Sequence, residues 1–426
     1  MRKEMDHQAN LKPTLGLFDA TAISVGAIIG GGIFVVTGIA ARYAGSAIVI
    51  SMLIAAVISL LTASSFIKLT AWSPREGSIY EYTYQLISPF AGFLTGWMWI
   101  LSNTFAGAAV SLGFAYYVNA LFPGFPPNIV AATICIAFAL LNYHGVRESA
   151  LVNNLLVVAK LLLLAFFIIY GLPYAKLSNF VPFAPFETGV LYGACLIFFA
   201  YGGFARVAVI AEEVKDAKRN VPRAIILSMA ISTVVYVLVS IVAVGLVGAT
   251  GLAGNPDSPL AGAIGITGNA AAVYAISLGA ILATASVLLT SLLGVSRMIY
   301  AMARKGDLPR ILSRLHSKYD TPYYAVLMTG VLMALLVLLV DLTKVVAVST
   351  FALLFYYTLT NFSAMRLENR DRVYRRIVPA LGAITCMVLL VLIIFISPQA
   401  WVMGIAGLVV GTVYYTGKKR LHRKTS

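Results

Sequence analysis

Charge is what this sequence has least of. Only 11% of its 426 residues are Asp, Glu, Lys or Arg, against about 25% in an ordinary soluble domain. Hydrophobic residues make up 60% and the mean hydropathy is +0.90. That balance excludes a soluble enzyme, a disordered chain and a nucleic-acid-binding surface. Acidic residues are the scarcer sign, 16 against 31 basic ones, for a net charge of +15. In a soluble protein such an excess would suggest nucleic acid. In so apolar a chain the first question is where the basic residues sit relative to membrane spans.

Cysteine is nearly absent. Cys135, Cys195 and Cys386 stand singly inside apolar runs, which excludes a zinc ribbon or a CxxC redox pair and leaves three small buried hydrophobes. There is no polar stretch long enough for a separate globular domain, and no glycine-rich lysine loop of a nucleotide-driven pump. His144 and His316 have no partners at metal-binding spacing. No apolar segment offers a His/Asp/Glu cluster or a Ser–His pair, so a membrane-embedded enzyme would lack its catalytic groups. A channel or sensor would need a continuous polar path or a soluble ligand domain, and neither is found. No cofactor or metal is called for. The first apolar run begins near Leu15 and is too long for a cleaved signal peptide.

What is present is a series of long apolar runs. A spanning helix needs about 20 mostly apolar residues. About twelve stretches read as spans, over 15–40, 46–70, 89–121, 127–143, 149–172, 188–211, 223–247, 270–303, 322–340, 345–365, 377–396 and 400–415. An all-α integral membrane protein follows, because backbone groups cannot stay unpaired in lipid and no alternating strand pattern occurs. With twelve spans, both termini and every even-to-odd connection share one side. That side receives 26 of the 31 basic residues, from Arg2, Lys3 and Lys12 at the start to Lys418, Lys419, Arg420, Arg423 and Lys424 in the tail. Arg42, Lys176 and Lys344 fall opposite, while Lys160 and Arg206 fall inside spans. The split predicts a multi-pass plasma-membrane protein with both termini cytoplasmic and its basic loops against anionic headgroups.

Two spans interrupt their own helical pattern. Span one carries Gly30-Gly31-Gly32 near mid-membrane and span six carries Gly202-Gly203; each glycine weakens a helix by about 1 kcal/mol relative to alanine. Close packing of small residues is the plain explanation. The positions argue for more. The two spans lie five apart, each opening one half of a 5+5 arrangement of opposite orientation, the place where inverted-repeat transporters bind substrate. Free N–H groups at a half-helix start suit a carboxylate, and freed carbonyls at a half-helix end suit an ammonium. Together they accommodate a zwitterion without a charged side chain.

Three motifs give the chain its resemblance. They are Gly26-Ala27-Ile28-Ile29-Gly30-Gly31-Gly32-Ile33-Phe34 in span one; Phe199-Ala200-Tyr201-Gly202-Gly203-Phe204 with Ala211-Glu212-Glu213-Val214-Lys215 and Arg219-Asn220-Val221-Pro222-Arg223 at span six and its exit; and Ser296-Arg297-Met298 through Ala303-Arg304-Lys305-Gly306-Asp307-Leu308-Pro309 after span eight. With these the chain resembles the amino acid–polyamine–organocation superfamily of permeases, nearest its L-type and cationic amino acid transporter branches and their prokaryotic relatives, over roughly residues 14–416. The resemblance implies a five-plus-five inverted repeat, about 14–173 and 186–366, with discontinuous helices one and six. Two peripheral helices over about 376–416 follow it, a short cytoplasmic segment (1–13) precedes it, and a basic tail (417–426) ends the chain. It implies alternating access around a mid-membrane site for an amino acid. Gly30, Gly31 and Gly32 would present N–H groups to the carboxylate; the carbonyls of Ile28, Phe199 and Ala200 would receive the amino group. Phe199 would also gate the site, and Gly202 would leave room for the substrate side chain. Many members have Ser, Thr or Ala where this chain has Gly31, and Asn-Pro where it has Asp216-Ala217.

Lys160 lies centrally in span five, where a lysine is costly and reads as functional. In the resembling permeases a lysine here takes the place of a coupling sodium ion and bridges span one to hydroxyls of span eight, for which Thr284, Ser286 and Thr290 are the candidates. That implies sodium independence, with protons or exchange as the driving force. Arg206 is unexpected, because the family commonly has an uncharged residue at its position. It either lines the side-chain pocket, favouring a polar or acidic group, or pairs with Glu212, Glu213 or a carbonyl. With no acidic residue mid-span in one, three, six, eight or ten, a neutral amino acid is favoured over a cationic amino acid or polyamine. The expected partners are thus an amino acid, bilayer lipid and protons, with no nucleic acid and no sodium. Trp97 and Trp99 are core aromatics or pocket walls, and Glu212 and Glu213 pair or cap at the exit of span six.

Overall fold

The computed structural model describes residues 12–30, 32–75, 77–122, 124–255, 258–339, 342–367 and 374–425. Gly31 and the basic residues Arg2, Lys3, Arg370 and Arg372 lie outside them. Among the described residues the chain is helical nearly throughout, and its extended pairing is one parallel bridge between Leu15 and Val214. Nine helices there are long and apolar enough to cross a membrane, Pro127–Tyr143 and Tyr323–Leu339 are apolar but shorter, and Leu342–Arg366 completes twelve. Span two is Ile48–Trp72, span three Pro89–Leu121, span five Val146–Gly171, span seven Ala217–Gly254, span eight Ala270–Arg304, span eleven Tyr374–Ile396 and span twelve Pro398–Thr425.

Local sequence accounts for several starts. Span three begins with Pro89 behind Ser88, whose Oγ accepts the Ala91 N–H at 3.1 Å, a proline-led start with a side-chain cap. Asn269 caps span eight by accepting the N–H groups of Ala271 and Ala272. Span seven starts earlier and ends later than expected, because the helix runs through Pro222 and continues across a kink at Gly248, φ +68°, a backbone angle that glycine adopts without cost.

Span eight sits innermost. Every residue from Ala283 to Ala303 is buried, the polar Ser286, Thr290 and Arg297 among them. Spans eleven and twelve are peripheral, their most apolar windows 33% and 17% buried against 67% for span eight. Span five also exposes most of its surface, 28% of its window being buried, yet the face it turns inward carries Lys160.

One end of the bundle is laced by charge. Lys12 reaches Asp320 at 2.7 Å, Lys305 reaches Glu81 at 2.5 Å, and Glu212 and Glu213 pair with Arg304 and Arg297. The Lys418 ammonium donates to the Gly306 carbonyl. Burial there pushes the Asp307 carboxyl above the usual carboxylate range, against the pull of the Tyr80 hydroxyl, Lys418 and Lys305. Segments flanking spans one, two, six, eight and twelve thus meet at a common end. Arg42 lies at the other, donating to the Ala253 carbonyl at 3.1 Å.

Candidate substrate site

Span one is broken. Its first half, Leu17–Ile28, stops where Ile29 turns extended (φ −80°, ψ 95°), and the chain restarts as a π-helical turn, Gly32–Val36, leading into Thr37–Ala44. Such a break leaves carbonyls unpaired at the end of one half and N–H groups at the start of the next. Three side chains fill the first need. Lys160, wholly buried, donates from Nζ to the carbonyls of Gly26 (3.1 Å) and Ile29 and to Ser286 Oγ at 2.5 Å. Ser286 Oγ itself donates to the Gly26 carbonyl at 3.1 Å. Tyr236 Oη, from span seven, donates to the Ile28 carbonyl at 2.6 Å. That carbonyl is the one expected for the substrate amino group, and among the described residues Tyr236 is the side chain that donates to it.

Span six departs from the expected unwinding. Its backbone stays right-handed helical but tightens to a 3₁₀ turn over Gly202–Phe204, between Thr188–Tyr201 and Ala205–Val209. The tightening shifts hydrogen bonds to the third residue back, so the Gly202 N–H occupies the Phe199 carbonyl. The carbonyl answered from outside is that of Gly202, by Tyr357 Oη of span ten at 2.7 Å. The glycines are there for contact. A Cβ on Gly203 would lie 2.5 Å from Ile28 N and closer still to the Ala27 carbonyl, and one on Gly32 would overlap Ala200 Cβ. The two interrupted helices therefore touch backbone to backbone. The space facing Gly202, expected to be open, is filled by Leu353 of span ten, and Gly30 packs on Val287 of span eight.

Between the interruptions is a cavity of about 30 Å³, room for a water or two. Ile28, Gly32, Phe199, Ala200, Gly202 and Arg206 line it together with Ser102, Asn103, Ser349 and Leu353. An amino acid is larger than this space, which Phe199 and Leu353 help to line. Ser102 and Ser349 face each other across spans three and ten, each hydroxyl donating to the other residue's carbonyl, at 2.8 and 2.7 Å.

Arg206 sits on this cavity, 5% exposed. Its Nε donates to Asn103 Oδ1 at 3.2 Å, and Nη1 to Thr290 Oγ1 at 2.8 Å and the Val287 carbonyl at 3.3 Å. Of its possible partners the carbonyl is realised and the glutamates are not. Glu213 is taken by Arg297 at 2.8 Å, both side chains essentially unexposed, and Glu212 by Arg304 at 2.9 Å. Of the three hydroxyls considered for Lys160, only Ser286 meets it. Thr284 turns back onto the Ala280 and Ile281 carbonyls of its own helix, and Thr290 serves Arg206. Trp97 stacks between Phe93 and Tyr414 and donates to the Gly407 carbonyl, tying span three to span twelve. Trp99 is buried against Gly294.

Sequence reasoning missed Tyr236, Tyr357, Asn103 and Leu353. Each is one residue in an apolar helix, and periodicity does not say which face meets the breaks. The one available signal is that a buried tyrosine hydroxyl needs a partner, and broken helices supply carbonyls.

A sequence model of the amino acid permease family matches residues 15–416. The branched-chain amino acid permease BcaP of Bacillus subtilis is 33% identical over 98% of this chain and 95% of its own length. The methylthioribose transporter of the same organism is 31% identical over 97% and 95%. Cationic amino acid transporter 4 of Mus musculus is 33% identical over 86% of this chain and 61% of its own.

Proposed function

Because this chain belongs to the amino acid permease family, we propose that it is a secondary transporter carrying amino acids across the plasma membrane by alternating access, independently of sodium. The observation that carries the reading is the cavity between the backbone contacts of spans one and six. Its wall holds Gly32 at the restart of span one, where N–H groups would suit a carboxylate, and Ile28, whose carbonyl has a second lone pair that would suit an ammonium. The two interrupted spans open two halves of opposite orientation, residues about 14–173 and 186–366, and rocking of one against the other would expose the cavity to each side in turn.

Lys160 supports sodium independence. Its ammonium already satisfies the carbonyls of Gly26 and Ile29 and the Ser286 hydroxyl, the oxygen ligands that a cation between spans one, five and eight would use. The driving force is then a proton gradient or exchange for internal amino acid. No carboxylate lines the cavity among the described residues, which argues against cationic amino acids and polyamines and favours an amino acid without a basic side chain. The 26-to-three distribution of basic residues argues for cytoplasmic termini.

The test is uptake of a labelled amino acid panel into proteoliposomes, with imposed proton or sodium gradients and with or without internal substrate. Uptake unaffected by sodium is expected, with stimulation by inward protons or by internal amino acid. Absence of transport for every amino acid would overturn the reading.

A further inference from the structure

We infer that the cavity is built for an α-amino acid bearing a second carboxylate, and that Arg206 receives that carboxylate. The inference rests on the permease reading and narrows its substrate class.

The argument is one of charge. Arginine stays protonated in proteins, and a buried cation needs compensation. Arg206 obtains three neutral hydrogen bonds, from an amide oxygen, a hydroxyl and a carbonyl, and among the described residues no carboxylate pairs with it. The nearby acidic residues of the span six exit are committed elsewhere, Glu213 to Arg297 and Glu212 to Arg304. Lys160 is anchored on the residue next to Arg206's carbonyl partner, Ser286 beside Val287. Among the described residues the core around the cavity thus holds two basic groups and no acidic one, and a zwitterion of zero net charge would leave that imbalance in place. An acidic amino acid, net negative, reduces it.

Geometry agrees. The three bonds of Arg206 use Nε and Nη1, and Nη2 has no partner among the described residues, although Arg206 is part of the cavity wall. Three of its five N–H donors are thus engaged, and the two on Nη2 remain for a carboxylate oxygen. Asn103 and Thr290 hold it in place. The α-carboxylate would be met at the restart of span one near Gly32, apart from Arg206.

The experiment uses the full-length protein in proteoliposomes with labelled L-alanine, L-leucine, L-glutamine, L-glutamate and L-aspartate, together with competition by each unlabelled compound. Glutamate or aspartate is expected to be transported and to compete at least tenfold better than glutamine, its neutral isostere. Arg206→Gln should cost the acidic substrates at least tenfold more in apparent affinity than it costs alanine, and Arg206→Lys should restore part of that difference. If alanine or leucine moves while glutamate and aspartate neither move nor compete, this inference fails and the permease reading stands. If nothing moves, the permease reading itself fails. Equal losses for all substrates in a variant that melts like the parent would make Arg206 a structural residue and overturn the proposal. Should the Arg206 variants not fold, the competition series on the parent protein decides alone.

Discussion

Lys160 and Arg206 are held by neighbouring residues of one helix: Lys160 Nζ donates to Ser286 Oγ at 2.5 Å, and Arg206 Nη1 to the Val287 carbonyl at 3.3 Å. Span eight, buried on all sides over this stretch, is thus the common anchor for a side chain that closes the break of span one and another that lines the cavity. A displacement of span eight relative to span one would be felt by both.

The first prediction concerns Lys160. Replacing it by methionine keeps much of its length and leaves the carbonyls of Gly26 and Ile29 without their ammonium donor. A buried group left unsatisfied costs ~1–3 kcal/mol, so Lys160→Met should melt several degrees lower in detergent. Any stimulation of uptake by an inward proton gradient should vanish, and exchange should persist at a reduced rate. Proton stimulation retained in this variant would remove Lys160 from coupling.

A second prediction separates two adjacent glycines. Gly203→Ala places a Cβ against the Ala27–Ile28 backbone, which has no flexible end to yield, whereas Gly202→Ala meets the tip of the Leu353 side chain. Gly203→Ala should therefore abolish transport or folding. Gly202→Ala should fold, cost on the order of 1–3 kcal/mol for local overpacking, and disfavour larger substrates. The comparison is read from size-exclusion profiles, melting curves and uptake of small against large amino acids. Normal transport by Gly203→Ala would contradict the backbone contact.

The third concerns Glu213, which ties three elements together. Its carbonyl accepts the N–H groups of Thr14 and Leu15, both at 3.0 Å, before span one, while its carboxylate holds Arg297 of span eight. Breaking a buried pair by removing one partner costs about 3–5 kcal/mol, so Glu213→Gln should lower the melting temperature markedly. Glu213→Gln combined with Arg297→Met should recover part of it, since no charge is then left buried alone. A double variant less stable than the single one would show that the pair does more than neutralise Arg297.

How much was legible in the sequence differs between parts of the molecule. Membrane class, helical architecture, twelve spans and the interruptions at Gly30–Gly32 and Gly202–Gly203 followed from composition, run length and helix-weakening residues. These are local properties, and lipid leaves few alternatives to a helix. That Lys160 would need buried partners was equally readable, because a mid-span lysine is costly wherever it points.

The partners of these residues depended on how helices distant in sequence rotate against one another, and only the tertiary structure decided them. Rotation chose Ser286 over Thr284 for Lys160, gave Thr290 to Arg206, turned Tyr236 and Tyr357 onto the carbonyls of Ile28 and Gly202, and filled the space before Gly202 with Leu353. It also kept span six wound as a tight 3₁₀ turn where its glycines had suggested an open stretch, because Gly203 was needed for contact with the Ala27–Ile28 backbone. The sequence determined that two basic residues lie inside apolar spans; packing determined that one of them closes a helix break and the other lines the cavity, with no carboxylate paired to it among the described residues.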